Sequence, residues 1–250
     1  MNQKSMLYVF ISCDVDHDRP EYGGTKLTER AKMAWRGVEI GIERFNETFR
    51  DFVDSDGAQL PVTWLFRSDM QIKEVYGRCA WPFIEYNDII KGLLSLHDEV
   101  GWHVHFWRWS EDAKCWYQEI SDDHYMVKCL EQGYRDVPAA HKPKIVRSGW
   151  CYQDENTLQT ISKMGVRIDI SCIPGSWNIE FVKNTYPINA YDWRGAPTEP
   201  YIPSIKDYRR PARRREEAID ILEVPLTTYN YPIHKNLMRM GKYIIGYRKR

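Results

Sequence analysis

The chain lacks a net charge: 35 Lys and Arg stand against 35 Asp and Glu over 250 residues. Such a balance raises no global field to draw in nucleic acid or an anionic membrane surface, so neither is an expected partner. It also lacks any CxxC pair. Six cysteines at positions 13, 79, 115, 129, 151 and 172 are too far apart for a zinc ribbon or a redox motif, and they read as reduced thiols of a cytoplasmic protein. No apolar run reaches the roughly 20 residues needed to cross a bilayer. The stretch Met6 to Ile11 has the look of a short signal core, but it runs into Cys13-Asp14 without an A-x-A type cleavage site. A buried first strand accounts for it better. There is no internal repeat, no low-complexity tract and no composition shift that would mark a linker, so residues 1–250 are expected to form one domain.

What is present is enough apolar material for a sizeable core, 43% of the chain, arranged in alternating strand and helix patterns. Residues 7 to 13 are apolar, aromatic and β-branched and end at two acids, the pattern of a buried strand opening onto a site. After Gly23-Gly24 a long helix is expected from Thr28. Val38, Ile42, Phe45, Phe49 and Phe52 form its buried stripe, and Asp56-Gly57 ends it. Pro61 to Phe66 reads as a second strand that delivers Arg67 and Asp69 to the same rim. Next come a helix near 86 to 96, a strand from about Val100 to Phe106 and a helix near 122 to 133. A strand at Lys144 to Val146 is followed by a helix with Asp154 as N-cap and Gly165 as its stop. Strands are also expected at 166 to 170 and at Ile219 to Val224, and long loops from Pro174 to Pro211. For residues 243 to 250 a last helix and a last strand fit equally well. Such alternation argues for an α/β fold with a parallel sheet or barrel.

Two short runs carry chemistry. In a strand, residues i and i+2 share a face, so Asp14 and Asp16 point the same way, as do His103 and His105. Two such pairs at the ends of neighbouring strands can converge on one divalent ion, since zinc takes imidazole nitrogen and carboxylate oxygen at about 2.0–2.2 Å. Three ligands from this set leave a position open for water.

The order of these pieces resembles the polysaccharide deacetylase family, the NodB-homology or carbohydrate esterase 4 group, over roughly residues 7 to 226. Asp14 and Asp16 match that family's early pair of acids in a variant with one residue between them. Asp98-Glu99-Val100-Gly101-Trp102-His103 is similar to its histidine motif, Val146-Arg147-Ser148-Gly149-Trp150 to its arginine motif, and Ile168-Asp169-Ile170-Ser171 to a fourth. The resemblance implies a distorted (β/α) barrel of about seven strands. It implies a divalent metal held by Asp16, His103 and His105, zinc first, with Co, Fe, Mn or Ni as alternatives. Asp14 is then the catalytic base and Arg147 its ionic partner. The implied reaction is removal of an acetyl group from an N-acetylated sugar or polysaccharide precursor, and similar sequences occur in O-antigen and other surface-polysaccharide gene sets.

Two departures from the family pattern stand out. The second metal histidine, expected four residues after the first, is replaced there by Trp107, and His105 takes its place two residues on. The general-acid histidine of a Leu-x-x-His motif is absent from Leu222-Glu223-Val224-Pro225, which leaves His234 as the nearest candidate acid. Asp69, Trp107 and Trp150 are the candidate substrate-binding residues; Asp69 ends a strand, and Trp107 belongs with Trp102, Trp109 and Trp116 to a set around the histidine motif that could stack on sugar rings. Arg209, Arg210, Arg213, Arg214 and Arg215 could hold a sugar diphosphate or form a solvated loop beside Glu216 and Glu217. Two other readings stay open: a C–N hydrolase acting on a non-sugar amide, and a carbohydrate-binding member without catalysis.

Overall fold

The computed structural model describes residues 9–18 and 28–227. Strand β1 is Ser12–Val15, β2 is Thr63–Arg67 and β3 is Glu99–Val104. A hairpin of β4 (Trp107–Ser110) and β5 (Cys115–Gln118) follows, then β6 (Ile145–Ser148) and β7 (Ile168–Asp169). Two more hairpins come next, β8 (Trp177–Val182) with β9 (Tyr186–Asp192) and β10 (Pro203–Ser204) with β11 (Asp207–Pro211). The last described strand is β12 (Leu222–Glu223). Among the described residues the main sheet has the order β1-β2-β3-β6-β7-β12 and is parallel throughout. Each of its strands lies beside the one before it in the chain. That is the winding of a barrel, whereas the strand order of a doubly wound sheet reverses.

Helices fill the crossovers. A π-helical turn, Gly37–Gly41, leads into α1 (Ile42–Phe49) between β1 and β2. Between β2 and β3 lie α2 (Met70–Tyr76), α3 (Trp81–Glu85) and α4 (Asn87–Ser95). Helix α5 (Asp123–Asp136) precedes β6, and α6 (Glu155–Lys163) precedes β7. Local chemistry fixes their starts: Asp122 accepts from the Tyr125 N–H, and Asp154 and Thr157 form a reciprocal capping box.

Strand alternation sorts the side chains into two layers. Val15, Trp64 and Phe66 face outward against Val38, Ile42, Phe83 and Ile90 of the helices, and Trp102, Val104 and Val146 do the same against Met126, Leu130, Leu158 and Ile161. Leu65, Ile145 and Ile170 form a smaller inner cluster. The sheet is strongly curled. Arg147 on β6 donates to Asp14 Oδ1 at 2.9 Å and to Ser12 Oγ at 2.8 Å on β1, although β2 and β3 lie between them. In a flat sheet three strand steps would separate those residues by about 14 Å.

Four expectations need correction. The distorted barrel of about seven strands is, among the described residues, a curled parallel sheet of six, and Tyr201 pairs on the outer edge of β12: its N–H donates to the Glu223 carbonyl and its own carbonyl accepts from the Glu223 N–H. The first helix begins at the π turn and not at Thr28. The backbone before it is held by long-range bonds instead, with Tyr76 Oη bonded to both the N–H and the carbonyl of Met33 and Asp18 N–H donating to Ala34. The expected stripe is buried only in its first half, since Phe49 and Phe52 are exposed. Residues 174 to 211 hold two hairpins where loops were expected, each with a register irregularity, between Glu180 and Phe181 in one and between Pro203 and Ser204 in the other.

Candidate metal centre

Strand β3 carries the centre. Its outward residues pack on the helices, which leaves Gly101, His103 and, just past the strand end, His105 on the inner face. The register sets Arg67, His103 and Arg147 side by side on β2, β3 and β6. Val15 pairs with Phe66, so Asp16 comes level with that row.

The histidine geometry defines where the lone pairs point. His103 Nδ1 lies 3.0 Å from the main-chain oxygen of Arg147. A carbonyl can only accept, so Nδ1 carries the proton and Nε2 keeps its lone pair. That Nε2 is 2.9 Å from Nε2 of His105, which in turn is 3.8 Å from Asp16 Oδ2. Donor atoms of Asp16, His103 and His105 all lie within 4.8 Å of one another. Two imidazole nitrogens bound to one tetrahedral zinc would be about 3.3 Å apart. A small outward shift therefore converts the observed arrangement into a ligand set, and the residues fit a divalent cation.

The supports behind the donors are buried. Asp16 Oδ1 accepts from Arg67 Nη1 at 2.6 Å and from the His17 N–H at 2.8 Å. Burial works against the Asp16 charge, but Arg67, His17 and the two centre histidines outweigh it and hold the carboxyl well below the usual carboxylate range. Burial also lowers the pKa of His17, with Asp16 opposing the shift. Arg67 Nε donates to Asp69 Oδ2 at 2.7 Å, and its Nη2 to Gln71. Asp69 accepts in addition from the N–H of His105 at 3.2 Å and, as N-cap of α2, from Ile72 N–H at 3.0 Å.

Asp14 differs from Asp16 in access. Its side chain is 32% exposed against 8% for Asp16, so solvent reaches it. Besides Arg147 it has His103 Nδ1 at 4.0 Å from Oδ1. Arg147 is fixed on its other side by donating from Nε to the Ile170 carbonyl at 3.2 Å.

The structure thus gathers Asp14, Asp16, His103, His105 and Arg147 in one place. Asp69 and Trp107 lie behind the centre: Asp69 is fully buried, and the buried Trp107 indole is stacked on the His105 ring at 5.8 Å and 12°. Trp150 belongs to the turn after β6, where Trp150 and Cys151 both have positive φ, 54° and 57°. Gly149 opens that turn against the His105 ring, so closely that a Cβ there would lie 2.1 Å from His105 Nδ1. His234 lies outside the described residues. Arg209 and Arg210 are committed locally, Arg209 to Asp207 and Asp192 and Arg210 to the Gly195 carbonyl.

Sequence reasoning passed over His17 and the pairing of Asp169 with Glu223. His17 follows directly on Asp16, and that adjacency was its only signal. Asp169 and Glu223 are fully buried and in register on paired strands, and Asp169 Oδ2 and Glu223 Oε2 have no hydrogen-bond partner among the described residues. Burial raises both, and their mutual repulsion raises Glu223 further.

No family model matches the chain, and no curated protein matches it in sequence. Among solved structures, a provisionally assigned glycoside hydrolase/deacetylase from Parabacteroides distasonis aligns with a TM-score of 0.47 and 17% identity, over 77% of this chain and 38% of its own. A provisionally assigned polysaccharide deacetylase from Mycobacterium smegmatis aligns with a TM-score of 0.41 and 13% identity, over 78% of this chain and 51% of its own. The aligned part is less than two thirds of either neighbour. At these scores any functional reading rests on the side chains themselves. Among the described residues no helix is long and apolar enough to cross a membrane.

Proposed function

We propose that the chain is a metal-dependent N-deacetylase acting on an N-acetylated sugar or a polysaccharide precursor, of the kind made for O-antigen and other surface polysaccharides. The observation that carries the metal is the convergence of His103 Nε2, His105 Nε2 and Asp16 Oδ2 on one point. The sugar rests on the motif resemblance. Zinc suits two imidazoles and one carboxylate, and Co, Fe, Mn or Ni could take the same donors.

A bound divalent cation would supply Lewis-acid polarisation of an amide carbonyl and a more acidic water. Asp14 is the group placed to accept that water's proton, being open to solvent and oriented by Arg147. As oxygen adds to the acyl carbon and the C–N bond breaks, protonated Asp14 can hand the proton to the departing nitrogen. Acetate and a free amine result, with no other reactant consumed.

Elemental analysis of the purified protein tests the reading. One divalent ion per chain is expected, lost in His105→Ala, together with metal-dependent acetate release from N-acetylated sugars. Wild-type protein that binds no metal even after added Zn or Co would sink it. One observation favours a second reading, a carbohydrate-binding protein without chemistry: the position three residues after Leu222, where the resemblance implies an acid histidine, is Pro225, and the only ionisable side chain of that run, Glu223, is fully buried beside Asp169. Metal binding without acetate release, together with sugar binding, would select that reading.

A further inference from the structure

We propose that Arg67 is a positioning residue that makes Asp16 a one-oxygen metal ligand and ties that ligand to His105. The proposal rests on the metal reading above and adds to it a residue outside the donor set. Arg67 is fully buried, and one guanidinium serves three oxygen acceptors in three directions, Asp16 Oδ1 from Nη1, Asp69 Oδ2 from Nε and Gln71 Oε1 from Nη2, with His17 Nε2 also 3.2 Å from Nη1. Oδ1 of Asp16 is occupied by Arg67 and the His17 N–H and lies on the His17 side, 3.7 Å from its Nε2, while Oδ2 is the oxygen nearest His105, 3.8 Å from its Nε2. Asp69, gripped by the same guanidinium, receives the main-chain N–H of His105. A proposed ligand just past β1 and one just past β3 are therefore braced through one side chain of the strand between them.

The planar fork is what the role needs. A lysine ammonium is a point charge and cannot span three acceptors in these directions, so Arg67→Lys keeps the charge and loses the geometry. Partners of this kind behind a metal ligand typically change metal affinity by about 10- to 100-fold when removed.

The test uses full-length protein with Co(II) and Zn(II) as probes. Affinity is read by competition with a chromophoric chelator and coordination by the Co(II) visible spectrum, in wild type, Arg67→Lys and Arg67→Met. The proposal expects a loss of affinity of about 10- to 100-fold in Arg67→Lys, with a changed Co(II) spectrum as Asp16 rotates to offer both oxygens. A variant that melts earlier yet binds Co(II) with wild-type affinity and spectrum would show Arg67 to be structural only and overturn the proposal. Should neither variant fold, X-ray absorption of wild-type zinc protein decides. A single carboxylate oxygen at about 2.0 Å supports the assignment, and two oxygens from one carboxylate overturn it. Wild type that binds neither ion would instead remove the metal reading, a result distinct from either of these.

Discussion

Asp14 and Arg147 form an ion pair of 2.9 Å across the inside of the sheet, from its first strand to its fourth. The pair ties the curl of the sheet to the chemistry of the centre. The guanidinium that orients the proposed base also bonds Ser12 on β1 and the backbone at Ile170, just beyond β7. Its own carbonyl, on the same residue, sets the tautomer of His103. One residue on β6 thereby acts on both the proposed base and a proposed metal ligand.

Asp14→Asn keeps the size of the side chain and an oxygen that can accept from Arg147, but it removes the base. Turnover should fall by about 10²–10⁴. Metal content should stay at the wild-type value, because Asp14 is not one of the three convergent donors. Acetate release and elemental analysis on the same sample check both halves. Turnover close to wild type would remove Asp14 from the mechanism.

Gly149→Ala should damage the centre without replacing a proposed ligand. A Cβ at this position would lie 2.1–2.2 Å from three atoms of the His105 ring, so the imidazole has to move. Metal affinity is expected to drop by about 10- to 100-fold, as it does when the supports of a ligand are disturbed. Chelator competition measures it. Unchanged affinity would mean that His105 can bind from another position.

The clustering of Asp14, Asp16, His103 and His105 was legible because strand alternation is local: one residue between two acids and one between two histidines is enough to put each pair on one face. The cap at Asp154 was readable on similar grounds, since its partner lies three residues away. The curl was not readable from local pattern: the Arg147–Asp14 contact that spans it joins residues 133 apart, and only the motif resemblance pointed to it. The true start of α1 was hidden in the same way, by a Tyr76 hydroxyl 43 residues from the Met33 backbone it holds. His17 offered no pattern of its own, and the buried Asp169–Glu223 pair needed the strand register to be seen.

Two glycine substitutions should part company. Gly101 faces the interior of the curl, where a Cβ would lie 2.5 Å from Leu65 Cδ2 and 3.1 Å from the Ile145 carbonyl oxygen. Gly92, in α4, has nothing within 4 Å of the same added atom. Gly101→Ala should destabilise by about 1–3 kcal/mol through overpacking, whereas Gly92→Ala should stabilise by roughly 0.5–1 kcal/mol through helix propensity. Urea midpoints of the two variants against wild type give the comparison. Equal shifts of the same sign would show that the inner face is not tightly packed at Gly101.

The Asp169–Glu223 pair predicts a stability that declines towards alkaline pH. Burial pushes the Asp169 carboxyl up to about 6, and burial together with the Asp169 charge raises Glu223 well above its usual range. A carboxyl whose folded pKa is raised favours the folded state while it is protonated. The contribution is complete below the unfolded values near about 4 and is lost as pH climbs through the folded ones, beginning around 6. For a shift of this size in one fully buried group the loss is roughly 3 kcal/mol. Melting temperature followed from about pH 4 to about pH 9 should therefore fall on the alkaline side. In Asp169→Asn the neutral amide can donate to Glu223 with no proton to lose, so the fall should be markedly shallower. An alkaline decline as steep as in wild type would place its origin elsewhere in the molecule.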